Sequence, residues 1–348
     1  MKLQHCPKLL VFFAAMLNTS GLNVVAFLSL VCLSPVAVMF RRFCMLLIAA
    51  YAVCPNLLHG VSPVSQSTTP DDLANIRKTI NRLKSLHAKQ EKPKAGEWRA
   101  QHKEKGQTFF QYLRSRPVRF TEKRNAIYVT PIGEFTERQN ELVKISCEFL
   151  SLYFSCPVKT LDPIELDEIP AKAKRIHPTW GDRQLLTSYI LDEVLTPKLP
   201  KDAASSIALS SVDLWPGDGW NFAFGYASFE NRVGVWSFYR NGKADGTDIE
   251  FQACLKRTLK VATHETGHMV SMPHCTAYRC NMQGSNSLPE SDRQPLYCCP
   301  ECHAKILFAT GCDPQSRFKA LASFFRKHKF KDEADFYEKS LARLQSKR

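Results

Sequence analysis

Hydrophobic and polar positions along the chain change their period several times, and the changes mark out elements. Residues 71–92 carry apolar side chains at 73, 76, 80, 83 and 86, the spacing of an amphipathic helix with a basic outer face, with Asp71 or Asp72 expected as its cap. "AIYVTPI" at 126–132 is a continuous apolar run with β-branched residues and predicts a buried strand. "ERQNELVKISCEFLSLYF" at 137–154 predicts an amphipathic helix, and "RQLLTSYILDEVL" at 183–195 a second one. "SIALSSVDLW" and "RVGVWSFY" predict strands, with "PGDGWNFAFGYAS" between them. Residues 251–270, apolar at 251, 255, 259, 262 and 270, predict one long helix. Strands alternating with helices in this order predict an α/β (α+β) fold with a mixed sheet.

The N-terminus follows another pattern. Residues 9–40 carry no charge before Arg41 and Arg42, and a second apolar run follows at 43–58. Membrane spans, a signal peptide with the small-residue site "AYA" at 50–52, a shorter signal peptide starting at Met39, and a buried helix all fit such a stretch. Export or membrane anchoring is the expectation; a true start downstream of the stretch would make the protein cytoplasmic. "GVSPVSQSTTP" at 60–70 reads as a linker. The expected organisation is therefore a signal or anchor at 1–60, a basic linker and helical extension at 61–120, and a catalytic domain with C-terminal helices at 121–348.

The net charge of +14 suits acidic partners, nucleic acid or anionic membranes, but the excess lies around 77–124 and 317–348, away from the densest motif, and reads as a solvated face. No nucleic-acid partner is expected, and a monomer is. Of thirteen cysteines, five crowd into 275–302. Cys147, Cys156, Cys254 and Cys312 are expected to be buried thiols. One tight cluster with strays favours metal binding over a disulfide framework.

The densest chemistry is "HETGHMVSMPHC" at 264–275. His264 and His268, one helical turn apart, share a face and can converge on one ion. Glu265 between them can reach a water on that ion without being a ligand, the "HExxH" arrangement of zinc hydrolases. His274 completes a three-histidine site only if the helix stops near 270 and the chain turns back, and Pro273 forbids a regular helix there; otherwise it is a loop histidine. Cys275 and Cys280 form one short-spaced pair, and Cys299 and Cys302 in "CPEC" another. Such pairs have the form of a closed four-thiolate zinc site, with disulfides or metal-free thiols as the alternatives, and Cys298 leaves the register of the second pair open.

Together, "HETGHMVSMPHCTAYRCNM" and "CPEC" resemble the signature of the archaemetzincins, zinc peptidases of the metzincin group. "SVDLWPGDGWNFAFGYAS", "RVGVWSFYR", "GSNSLPESD" and "GEWRAQHKEKGQTFFQYL" extend the likeness over roughly residues 95–345. The resemblance implies a metzincin-like zincin catalytic domain with an added four-cysteine zinc site, and two zinc ions per chain. His264, His268 and His274 would hold the catalytic zinc, and Cys275, Cys280, Cys299 and Cys302 the structural one. Glu265 would activate a zinc-bound water for attack on a peptide or protein substrate, Met282 would be the Met-turn residue, and "RVGVWSF" would be the rim strand that an extended substrate joins.

One position departs from the pattern: Ser271 stands where the family has glycine. Glycine takes positive φ at little cost, whereas serine there costs on the order of 1 kcal/mol. That is small against the roughly 10–16 kcal/mol of structural zinc binding, so the site is expected to survive, with Ser271 at positive φ or in a displaced turn. The competing reading is a non-catalytic zinc scaffold derived from a metallopeptidase.

Overall fold

A computed structural model describes residues 69–346. The apolar N-terminus, with its export or anchoring reading, lies outside the described residues. Among those described, no helix is long and apolar enough to cross a membrane.

Helix α1 (Pro70–Leu83) begins at Thr69, whose side chain accepts the Asp72 amide while Asp72 accepts the Thr69 amide. The cap is thus Thr69, not Asp71 or Asp72; the hydroxyl belongs at the cap and the carboxylate three residues on. After α1 a 3-10 turn (Lys84–Leu86) and a single helical turn (Trp98–Gln101), joined by irregular chain, lead to a short helix α2 (Phe109–Arg114). Strand β1 (Ala126–Ile132) and helix α3 (Glu137–Phe154) occupy the residues expected, with Thr136 capping α3.

The main sheet has five strands: β1, β2 (Val158–Thr160), β5 (Ala203–Ser210), β7 (Gly225–Ala227) and β8 (Val233–Ser237), in the order β2-β1-β5-β8-β7. All pairings are parallel except β7 with β8. Inward positions alternate: Ile207, Leu209 and Trp236 enter one apolar cluster, and Ala208, Val233 and Val235 enter another on the opposite face. Both faces are covered, which is why these strands read as continuous apolar runs.

A second sheet of three strands, β3 (Lys174–Ile176), β4 (Arg183–Leu186) and β6 (Asp213–Trp215), lies in the order β3-β4-β6. It changes two expectations. "RQLLTSYILDEVL" is not one helix: its first four residues form β4, and helical turns occupy only Thr187–Leu195. Pairing with β3 and β6 overrides the local helical spacing. "SIALSSVDLW" likewise divides between sheets, β5 ending at Ser210 and β6 starting at Asp213.

Helix α4 (Asp248–Met269) packs on α3, β7 and β8. After a five-residue helix at Leu288–Asp292, three longer helices complete the described residues: α5 (Pro300–Thr310), α6 (Pro314–Lys327) and α7 (Lys331–Gln345), with α6 and α7 paired and α1 against α5.

Candidate active site

The last turns of α4 carry His264, Glu265 and His268, and the way α4 ends brings in the third histidine. Ser271 has φ +63°. The Ser271 amide donates to the His268 carbonyl at 2.8 Å, and the Met272 amide to the Gly267 carbonyl at 3.1 Å. These two bonds with a left-handed residue form a Schellman termination, in which glycine usually holds the Ser271 position. The turn reverses the chain, and the rings of His264, His268 and His274 come together with centroids 4.6–5.2 Å apart.

Each ring is oriented by an oxygen on its Nδ1. His264 Nδ1 lies 2.8 Å from the Asn281 carbonyl, His268 Nδ1 2.7 Å from the Met272 carbonyl, and His274 Nδ1 2.7 Å from Glu104 Oε1. A carbonyl only accepts, so Nδ1 of His264 and His268 carries the proton and Nε2 keeps its lone pair. Those two Nε2 atoms are 3.0 Å apart. Two lone pairs so close repel unless a cation sits between them. Tetrahedral zinc with Zn–N bonds of about 2.0–2.1 Å would hold ligand nitrogens roughly 3.3 Å apart, so the donor set fits zinc. Burial pushes the His264 pKa down to about 3 and that of His268 well below its ordinary value, which favours the neutral imidazole that metals bind.

Glu265 lies beside this cluster. Burial alone pushes its pKa up to about 8. Its side chain rests on the backbone of edge strand β7: a Cβ added to Gly225 would meet Glu265 Cγ at 2.6 Å. Below the histidines, Met282 packs against Gly267, where an added Cβ would come within 2.5 Å of the sulfur.

The four sulfurs of Cys275, Cys280, Cys299 and Cys302 lie within 4.8 Å of one another and are buried. Cys275 Sγ and Cys299 Sγ are 3.7 Å apart, close to the roughly 3.8 Å that Zn–S bonds of about 2.3 Å would give in a tetrahedron. The Cys299 amide donates to Cys280 Sγ at 3.2 Å. Hydrogen bonds from the other three thiols pull the Cys275 pKa far below its usual value, favouring a thiolate there. Cys298 stands outside the quartet and accepts the Tyr153 hydroxyl at 3.2 Å. All nine described cysteines are free. Of the four strays, Cys156 and Cys254 are buried, whereas Cys147 and Cys312 are half-buried.

The strand expected at the rim is internal. β8 is paired on both sides, by β5 and β7, so its backbone is already bonded; the free edge beside Glu265 is β7. Sequence reasoning also missed Glu104, Phe229, whose ring centroid is 5.1 Å from that of His268, and Trp98, 5.1 Å from His274. None carries a local pattern, although "GEWRAQHKEKGQTFFQYL" already contained two of them.

Residues 201–307 match the model of Peptidase family M54. Archaemetzincin-2 of Rattus norvegicus is 31% identical over 262 residues, covering 66% of this chain and 72% of the relative. Archaemetzincin-2 of Homo sapiens is 32% identical over 257 residues, 65% of this chain and 71% of the relative. The crystal structure of archaemetzincin from Methanopyrus kandleri is 25% identical, with a TM-score of 0.45, covering 55% of this chain and 97% of that one. With three histidines whose ring nitrogens lie close enough to share one ion, and with the family match and the two mammalian relatives beside them, the chain belongs to the archaemetzincin family and is a metallopeptidase.

Proposed function

We propose that His264, His268 and His274 hold a catalytic zinc and that Glu265 is the general base of peptide-bond hydrolysis. The observation that carries this reading is the convergence of three histidines whose Nδ1 atoms are already engaged, with a carboxylate beside them on the same helix. Zinc bound there supplies Lewis acidity, lowering the pKa of water and polarising the peptide carbonyl. Glu265 takes the proton of the attacking water on its carboxylate and returns it to the departing amine. Its place against Gly225 puts that carboxylate beside the free edge of β7, where an extended peptide can add as a strand and present its scissile bond. Cys275, Cys280, Cys299 and Cys302 hold a second, structural zinc, and Met282 forms the floor beneath the histidines.

Glu265→Gln tests the mechanism. It keeps the size of the side chain, so both metals should stay bound while hydrolysis of a peptide-library substrate is lost. Full activity in this variant refutes the role of Glu265. Export or anchoring rests on the apolar stretch at 9–58, and sequencing the N-terminus of the natural protein tests it.

A further inference from the structure

Residues 87–108 cross the loop that carries the third histidine and the first cysteine pair. At one end the Arg279 amide donates to the Ala88 carbonyl at 3.0 Å, and the Gln90 amide to the Ala277 carbonyl at 3.2 Å. In the middle the Trp98 amide donates to Glu290 Oε1 at 2.9 Å. The Trp98 indole lies over Gly284, where an added Cβ would collide with the ring, and its edge-on contact with His274 is at 5.1 Å. At the other end Gly106, φ +67°, lies against Thr276, where an added Cβ would collide with the hydroxyl. Two close approaches that only glycine permits, one on each side of the contact, seat the strap on the metal loop.

Between these anchors Glu104 meets His274 at 2.7 Å. His264 and His268 take their Nδ1 partners from backbone carbonyls of the loop itself. His274 alone takes a carboxylate, from a residue 170 positions away. A carboxylate on Nδ1 fixes the ring and its tautomer and makes Nε2 a stronger donor, the arrangement by which outer groups tune ligating histidines.

We propose that Glu104 is a positioning residue of the metal centre: it orients His274 toward the metal, and the strap at 87–108 is a working part of the site. This rests on the three-histidine reading above.

The test is zinc affinity of the histidine site in the full chain, measured by competition with a chelator, together with the visible spectrum of the cobalt-substituted protein. Glu104→Ala should weaken zinc by about 10–100-fold and change the cobalt band. Glu104→Gln keeps the oxygen but not the charge, and should weaken it by a smaller factor. In a His274→Ala background, Glu104→Ala should add nothing, because its partner is gone. Unchanged affinity in Glu104→Ala and Glu104→Gln overturns the proposal, as does a full further loss in the His274→Ala background. If Glu104→Ala lowers the unfolding midpoint of the chelated chain, Glu104→Gln decides: wild-type affinity there overturns the proposal. A His274→Ala variant with wild-type zinc affinity would instead refute the three-histidine site; His274→Ala losing zinc while both Glu104 variants keep it refutes only the role of Glu104.

Discussion

Ser271 donates its hydroxyl to the Phe229 carbonyl at 3.1 Å, and the same oxygen accepts the Val118 amide at 3.1 Å. One side chain thus ties the end of α4 to the loop after β7 and to the segment before β1. The left-handed backbone costs on the order of 1 kcal/mol, and each hydrogen bond contributes about 0.5–1.5 kcal/mol. The effects oppose each other at similar size. Ser271→Gly should therefore lower the stability of the zinc-loaded protein by roughly 0–2 kcal/mol, about 1 kcal/mol less than the loss of both bonds alone. Ser271→Ala keeps the strain and loses both bonds, and should cost roughly 1–3 kcal/mol in urea unfolding. A larger loss from glycine than from alanine would contradict this balance.

Gly225→Ala should separate metal binding from turnover. The new methyl would meet the Glu265 side chain, its nearest neighbour, at 2.6–2.7 Å and displace it. Zinc content should stay at the wild-type level and peptide hydrolysis should fall by on the order of 100-fold, the cost of misplacing a catalytic group by about 1 Å. Near wild-type turnover would show that the carboxylate does not work from this position.

Removal of the thiolate site should cost one metal. Cys299→Ser with Cys302→Ser is expected to lower zinc from two ions to one per chain by elemental analysis, and to destabilise the loop at 275–302. An unchanged metal content would remove the second site.

Acid sensitivity should trace in part to His87. Both its ring nitrogens are shut from solvent without a hydrogen-bond partner among the described residues, and burial pushes its pKa down to about 4. The folded state then binds fewer protons than the unfolded one between pH 6.5 and about 4. Stability is full above that window and lost as pH falls through it, by on the order of 3 kcal/mol. His87→Phe, which suits the aromatic neighbours Tyr297 and Phe336, should flatten this part of the curve in unfolding experiments. An equal slope in the variant would assign the acid loss elsewhere.

How much of this was legible follows from how local each feature is. β1 and α3 could be read to the residue because an apolar run and a threonine cap bound them. His264, Glu265 and His268 were legible because one helical turn relates them. The free edge was not. β7 is three residues long, and nothing in the composition of "RVGVWSF" tells an internal strand from a rim strand, since that depends on which neighbours pair with it. β4 hid inside a helical period because its strand state comes from β3 and β6. Glu104 sits in a run of charges that looks solvated, and only the folded chain brings it to His274.

The 170-residue separation of Glu104 and His274 also sets an order of events during synthesis. At about 5–20 residues per second, the ribosome needs roughly ten to thirty seconds after making Glu104 before it makes His274. The strap is therefore made well before the loop it clasps, and the third histidine can gain its carboxylate only after both have left the ribosome. A nascent chain that has already emerged past the helix carries two of the three imidazoles, but the third is oriented only with the closing of the fold.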